Sequence, residues 1–131
     1  MFNSAKKEDK KRILVVEDDL FLSDILCQKL LKHGFFIERA IDADETFKIL
    51  EEKHIDLILL DLLLPDIEGQ EVLKRLKETE KWKSIPVIIA SNLDDPAERK
   101  RTKELGAVDY LVKAEHTPDE IIKRVAEELT K

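Results

Sequence analysis

Four places in the chain hold side chains able to do chemistry together: Glu17-Asp18-Asp19, Asp61, Ser91 and Lys113. Each follows directly on an apolar run, respectively ILVV, LILL, VIIA and YLV. Clustered carboxylates repel one another and form a hard oxygen site that Mg²⁺ neutralises, typically taking one or two carboxylates with waters and phosphate oxygens. A carboxylate in such a site can attack phosphorus. An ammonium and a hydroxyl then share the charge on the equatorial oxygens, with Lys113 as a point charge and Ser91 as a neutral donor. Taken singly, the features have plainer readings: an acidic triplet also suits a solvated loop or a helix N-terminus, and one serine or lysine carries little information. Asp61 is harder to set aside, because it interrupts the apolar stretch Leu57 to Leu64. An ionised group there has to be paired, metal-bound or exposed at a strand end.

The elements that must position these groups are legible as five apolar runs at similar intervals: Ile13 to Val16, Phe35 to Ile37, Leu57 to Leu60, Val87 to Ala90 and Val108 to Val112. Most are continuous rather than alternating, as expected of parallel strands covered on both faces. Amphipathic segments fill the gaps and predict helices over about 20–33, 43–53, 70–79, 96–105 and 118–130, a (βα)₅ rhythm of the α/β class. In an open parallel sheet the ligand site lies beyond the carboxyl ends of the strands. Four of the five predicted strand ends deliver the reactive set to one edge.

Helix boundaries are marked. Asp42 with Glu45, Asp95-Pro96 with Glu98, and Thr117-Pro118 with Glu120 each predict an N-cap and an N3 glutamate placed to close a capping box. Gly34 and Gly106 stand where a left-handed C-cap residue belongs.

With 131 residues the chain fits one domain, so a separate output domain is not expected. Hydrophobic residues make up 43% and charged residues 40%, enough for a core under a heavily charged surface. A net charge of −6 argues against direct nucleic-acid binding, which needs a basic footprint. No stretch is long and apolar enough to span a bilayer, and Met1 to Arg12 holds no signal-peptide core, so a cytoplasmic location and no membrane partner are expected. Residues 1–10 read as a flexible tail and 11–131 as the domain.

The strings ILVVEDD, LILLDLLLPDIEG, PVIIAS and DYLVK, set in this rhythm, resemble the response-regulator receiver domains of two-component signalling over about Arg12 to Lys131. The resemblance implies a flavodoxin-like sheet of order 2-1-3-4-5 with helices on both faces. It implies that Asp61 accepts a phosphoryl group from the phosphohistidine of a sensor histidine kinase or a phosphotransfer protein. Asp18 would contact Mg²⁺ directly, with Mn²⁺ able to substitute, and Glu17 through water; the main-chain carbonyl of Leu63 would complete the protein ligands. Ser91 would be the switch hydroxyl and Lys113 the phosphate-binding lysine. The output surface would be the fourth helix, fifth strand and fifth helix, signalling to a downstream protein effector as a monomer or a weak phosphorylation-linked dimer. Such a protein is a switch that catalyses its own phosphotransfer and slow self-dephosphorylation rather than an enzyme. Tyr110 is either the family's switch aromatic or an edge-strand tyrosine packed on a helix.

The sequence departs from the pattern at two points. Ala114 replaces the usual proline after the lysine, so a trans Lys113-Ala114 bond is expected, and Asn92 replaces a small residue after Ser91. A phosphorylation-independent binding module is the alternative reading. A hydrolase is disfavoured by the lack of G-x-S-x-G and of a glycine-rich phosphate loop. Cys27 reads as a small core residue and Trp82 as a packing anchor. His33, His54 and His116 read as surface residues, and Arg99-Lys100-Arg101-Lys103 as a basic ridge on the fourth helix.

Overall fold

A computed structural model describes residues 10–131. The elements are β1 (Arg12–Val16), α1 (Leu20–Lys32), β2 (Phe36–Ala40), α2 (Ala43–Glu52), β3 (Leu57–Leu60), α3 (Gly69–Glu78), β4 (Val87–Ser91), α4 (Pro96–Leu105), β5 (Asp109–Val112), a 3₁₀ turn at Lys113–Glu115 and α5 (Pro118–Leu129). All five strands are parallel and stand in the order β2-β1-β3-β4-β5. The expected fold class and strand order are therefore present. Of the expected tail, residues 1–9 lie outside the described residues, while the Lys10 ammonium stands 5.3 Å from the centroid of the Phe36 ring.

The continuous apolar strands have the cause inferred for them. Leu14, Val16, Ile58, Leu60, Val87 and Ile89 face one core with Leu50 of α2 and Val72, Leu73 and Leu76 of α3. Ile13, Val15, Leu57, Leu59, Ile88 and Ala90 face the other, with Leu26, Cys27 and Leu30 of α1 and Ile121, Ile122 and Val125 of α5. Successive side chains of a strand point to opposite faces, so a strand covered on both sides is apolar at every position. Cys27 is a buried free thiol, and Trp82 packs on the α2–α3 side with its ring 5.7 Å from that of Phe47.

The ends differ from expectation where charges take part. β2 runs on through Glu38 and Arg39, beyond the apolar run that predicted it. Both are paired at this edge strand: Arg12 donates to Glu38 at 2.8 Å, and Arg39 pairs with Asp24 at 2.7 Å. Val108 is exposed and stays outside β5. Gly34 and Gly106 take positive φ at the ends of α1 and α4, as expected of left-handed caps.

Of the three expected capping boxes only Thr117–Glu120 closes in both directions. At α2, Asp42 caps Glu45, but the Glu45 carboxylate reaches past the cap to the Ile41 N–H. At α4, Asp95 caps Ala97, and the Glu98 carboxylate accepts instead from the Gln70 side chain. No helix among the described residues is long and apolar enough to cross a membrane.

Candidate functional site

The parallel ladder delivers the acids to one place by its own hydrogen bonding. The Glu17 N–H donates to the Ala40 carbonyl and the Asp61 N–H to the Val16 carbonyl, at 3.0 and 3.1 Å. The backbone of each acid is thus fixed one step beyond its strand. Asp19 turns away to cap α1, accepting from the Leu22 N–H. Ligand-capable oxygens of Glu17, Asp18 and Asp61 then lie within 4.8 Å of one another. Glu17 and Asp61 are buried, whereas Asp18 is exposed on the open side.

Lys113 enters from the end of β5. Its ammonium donates to Glu17 and, at 3.1 Å, to Asp61 Oδ2. Burial pushes the Glu17 carboxyl above its ordinary value, with Asp61 acting in the same direction and Lys113 against it. Burial alone would lower the lysine, but the bond to Glu17 and the charge of Asp61 outweigh it and hold the ammonium above its ordinary value. The donor set fits a divalent cation: three carboxylates supply hard oxygens, one of them open to solvent, around a single ammonium that only partly neutralises them.

The loop after β3 is held from two sides. The Leu63 N–H donates to Asp61 Oδ1 at 3.1 Å, which places Leu63 directly beside the carboxylate. Asp66, three residues on, accepts from the N–H groups of Ala43 and Asp44 at the start of α2, both at 3.0 Å, and from Ile67. Burial acts upward on the Asp66 carboxyl, but these N–H bonds outweigh it and hold it below its ordinary value. Gly69 opens α3 against the strand end. A Cβ there would fall 2.5 Å from the Leu62 Cα and 2.6 Å from the Asp61 carbonyl oxygen, so only glycine permits this approach.

Ser91 ends β4 fully buried, and its hydroxyl oxygen accepts from the Leu93 N–H at 3.3 Å. The Tyr110 hydroxyl donates to the Leu93 carbonyl, and the Arg99 guanidinium stands 5.3 Å from the Tyr110 ring centroid. Burial raises the Tyr110 phenol above its ordinary value. Tyr110 is therefore packed on a helix and also tied to the loop that follows Ser91. No described peptide bond is cis, and Lys113-Ala114 opens the 3₁₀ turn as a trans bond, as expected without a proline.

Sequence reasoning placed Glu17, Asp18, Asp61, Ser91 and Lys113 at one edge of the sheet, and the fold puts them there. It passed over Asp66, Gln70 and the close approach of Gly69. The string PDIEG held both Asp66 and Gly69, but their partners are set by packing. The three histidines lie apart from the site: His33 caps α1, the His54 ring is 2.9 Å from Asp56, and His116 ends the 3₁₀ turn.

The geometry has close counterparts. A family model described as "Response regulator receiver domain" matches residues 13–126. The phosphate regulon transcriptional regulatory protein PhoB of Escherichia coli is 36% identical over 115 residues, 88% of this chain and 50% of that protein. The chain spans about half the length of the curated relatives it matches. Among solved structures, a CheY-like response regulator receiver domain protein from Methanospirillum hungatei superposes with a TM-score of 0.85 at 28% identity, covering 93% of this chain and 95% of that one. The non-phosphorylated HemR receiver domain from Leptospira biflexa gives a TM-score of 0.85 at 30% identity, covering 93% and 96%. An acidic pocket at the carboxyl edge of a β2-β1-β3-β4-β5 sheet, a lysine bridging it and a family match over most of the chain agree, and the protein belongs to the response regulator receiver domains.

Proposed function

We propose that this domain is a phosphorylation switch in which Asp61 accepts a phosphoryl group from the phosphohistidine of a sensor kinase or phosphotransfer protein. The observation that carries the reading is the position of Lys113, whose ammonium bridges Asp61 and Glu17 inside the acidic cluster. In the proposed step an Asp61 carboxylate oxygen attacks phosphorus. The new O–P bond forms as the P–N bond to the donor imidazole breaks, and the released nitrogen takes up a proton. The Lys113 ammonium passes from the free carboxylates to the phosphoryl oxygens, and the Ser91 hydroxyl donates to another of them.

Glu17, Asp18 and Asp61, with the main-chain carbonyl of Leu63, would hold Mg²⁺, or Mn²⁺ in its place. When bound, the cation supplies charge neutralisation at the entering phosphoryl group. The rest of the work falls to this chain: the ladder orients the nucleophile, Lys113 and Ser91 receive the charge, and burial of Asp61 limits water. Ser91 and Tyr110 both bond to Leu93, in the loop leading to α4, so a change at the phosphoryl group reaches α4, β5 and α5 through that residue. This is a two-state element biased by a new dianion, read by a protein partner rather than a turnover enzyme.

The test is incubation with a small phosphodonor, with and without Mg²⁺, read by intact mass. A covalent adduct that requires the cation and disappears in Asp61→Asn supports the proposal. Stoichiometric labelling of the Asn variant on the same peptide refutes it.

A further inference from the structure

Helices that cover one face of a sheet form a layer, and neighbours in that layer ordinarily pack together. Here α1 packs on α5 and α3 on α4, but α2 and α3 have little contact with each other. Both cover the same core, α2 through Leu50 and α3 through Val72, Leu73 and Leu76. Between them lies a groove of about 600 Å³. Phe47 of α2 and Trp82, in the loop after α3, line it with ring centroids 5.7 Å apart, and Ile67, just before α3, joins them. Both rings stay partly exposed. A concave apolar surface left open to water is where a partner is to be sought.

The charges say what kind of partner fits. Three carboxylates, Asp44, Asp66 and Glu78, line the groove against one guanidinium, that of Arg75. Asp44 is paired with Lys48, and Arg75 with Glu71. Asp66 and Glu78 face no cationic side chain among the described residues, and the bonds that Asp66 accepts all come from backbone N–H groups. These two stand at opposite ends of the groove. Asp66 precedes α3 and Glu78 ends it, so ten residues of helix set them about 15 Å apart. The rings share the preference for positive charge: the Arg75 guanidinium stands 5.9 Å from the Phe47 centroid and the Lys81 ammonium 5.0 Å from that of Trp82. A wholly apolar segment would strip water from the two carboxylates without replacing it. A second copy of this chain, with a net charge of −6, would bring repulsion.

We propose that the α2–α3 groove is a docking surface for a basic amphipathic segment of a partner protein. Its apolar side chains lie on Phe47 and Trp82, and a lysine or arginine meets each of Asp66 and Glu78. A helix covers that separation in about ten residues, with an apolar stripe between the two cations. No residue of α4, β5 or α5 lines the groove, so such a partner binds beside whatever reads the switch. The proposal is independent of the acceptor role of Asp61.

The experiment titrates two synthetic amphipathic peptides, built on leucine with either lysine or glutamate as the polar residue, against the full chain. Trp82, the only tryptophan, reports by fluorescence, and the backbone amides of α2 and α3 are followed by NMR. The lysine peptide is expected to shift both signals and the glutamate peptide neither. Glu78→Lys should weaken the lysine peptide by about fivefold, the scale of one exposed pair lost and one repulsion gained. Glu127→Lys makes the same charge change at an exposed site on α5, across the sheet, and should leave affinity as it is. Equal losses in the two variants would show attraction to net charge alone and overturn the proposal, as would binding of the glutamate peptide or amide shifts centred on other helices. The two other occupants have their own signatures, and either overturns it. Self-association seen by sedimentation and lost in Glu78→Lys assigns the groove to a second copy. Tighter peptide binding by the full chain carrying Lys6→Glu and Lys7→Glu assigns it to the segment that precedes Lys10.

Discussion

The Lys113 ammonium lies 3.1 Å from Asp61 Oδ2 while donating also to Glu17, so one cation serves two buried carboxylates. Removing one member of a buried ion pair is more damaging than the pair is stabilising, because it strands the opposite charge. Lys113→Met is expected to lower the stability of the metal-free domain by about 3 kcal/mol, the usual scale for a broken buried pair. Mg²⁺ should recover part of the loss. Asp61→Asn should act oppositely, raising metal-free stability by relieving repulsion with Glu17 and Asp18. Urea denaturation with and without Mg²⁺ checks both; a Lys113→Met loss that Mg²⁺ leaves untouched would show that the lysine is not balancing this site.

Asp66 gives a pH-dependent prediction. Its carboxyl is held below its ordinary 3.8 in the folded protein. The stability it contributes is therefore present above 3.8 and is lost as pH falls through the lower folded value. Asp66→Ala removes the acceptor for three N–H groups and should cost about 1 kcal/mol at neutral pH, as for loss of a helix cap. The difference from wild type should shrink well below 3.8. Denaturation of both proteins across that range decides it: a gap that ignores pH would mean that packing rather than ionisation holds the loop.

Gly69 should tolerate no side chain. Its added methyl would meet the backbone of both Asp61 and Leu62, so relief requires movement of that segment. Gly69→Ala is expected to destabilise by about 1–3 kcal/mol, the range for forced overpacking, and to slow phosphodonor labelling. Normal labelling in a destabilised Ala variant would separate the packing from the chemistry.

The lifetime of the phosphorylated form should be long. Leu63 and Leu93 stand beside the groups that bracket the acceptor, Leu63 through its N–H on Asp61 and Leu93 through its N–H on Ser91. Neither side chain can orient an attacking water. Leu63→Asn or Leu93→Glu should speed decay by about tenfold, a gain within reach of positioning alone. Intact-mass decay curves after donor removal provide the comparison, and fast wild-type decay or two inert variants would refute it.

The sheet and its reactive edge were legible because they follow from local pattern. A strand buried on both faces is apolar throughout, so LILL and VIIA mark β3 and β4, and the polar residue that ends each run marks the site. β2 was read too short because Glu38 and Arg39 remain in the strand by pairing with side chains that the run does not contain. The unclosed capping box of α4 fails for the same reason. Glu98 has its usual local partner in reach but is taken by Gln70, a residue whose position near α4 is fixed only once α3 packs. Asp66 caps a helix that begins 23 residues earlier, at Ala43. Local rules cannot see such partners.

The charges that lengthened β2 have a further effect. An open sheet ends in two rows of unpaired backbone groups, which invite a strand from another molecule. Here the outer strands are short and charged: Glu38 and Arg39 are paired on β2, and on the four-residue β5 Asp109 accepts from Arg124 at 2.6 Å. A neighbouring chain that docked edge-on would have to accommodate these ion pairs. The segments best suited to fibre growth, LILL and VIIA, lie in the interior of the sheet, hydrogen-bonded on both sides. Cross-molecule strand pairing is thereby confined to chains that have already lost the outer strands, and aggregation should track global unfolding rather than the concentration of folded protein.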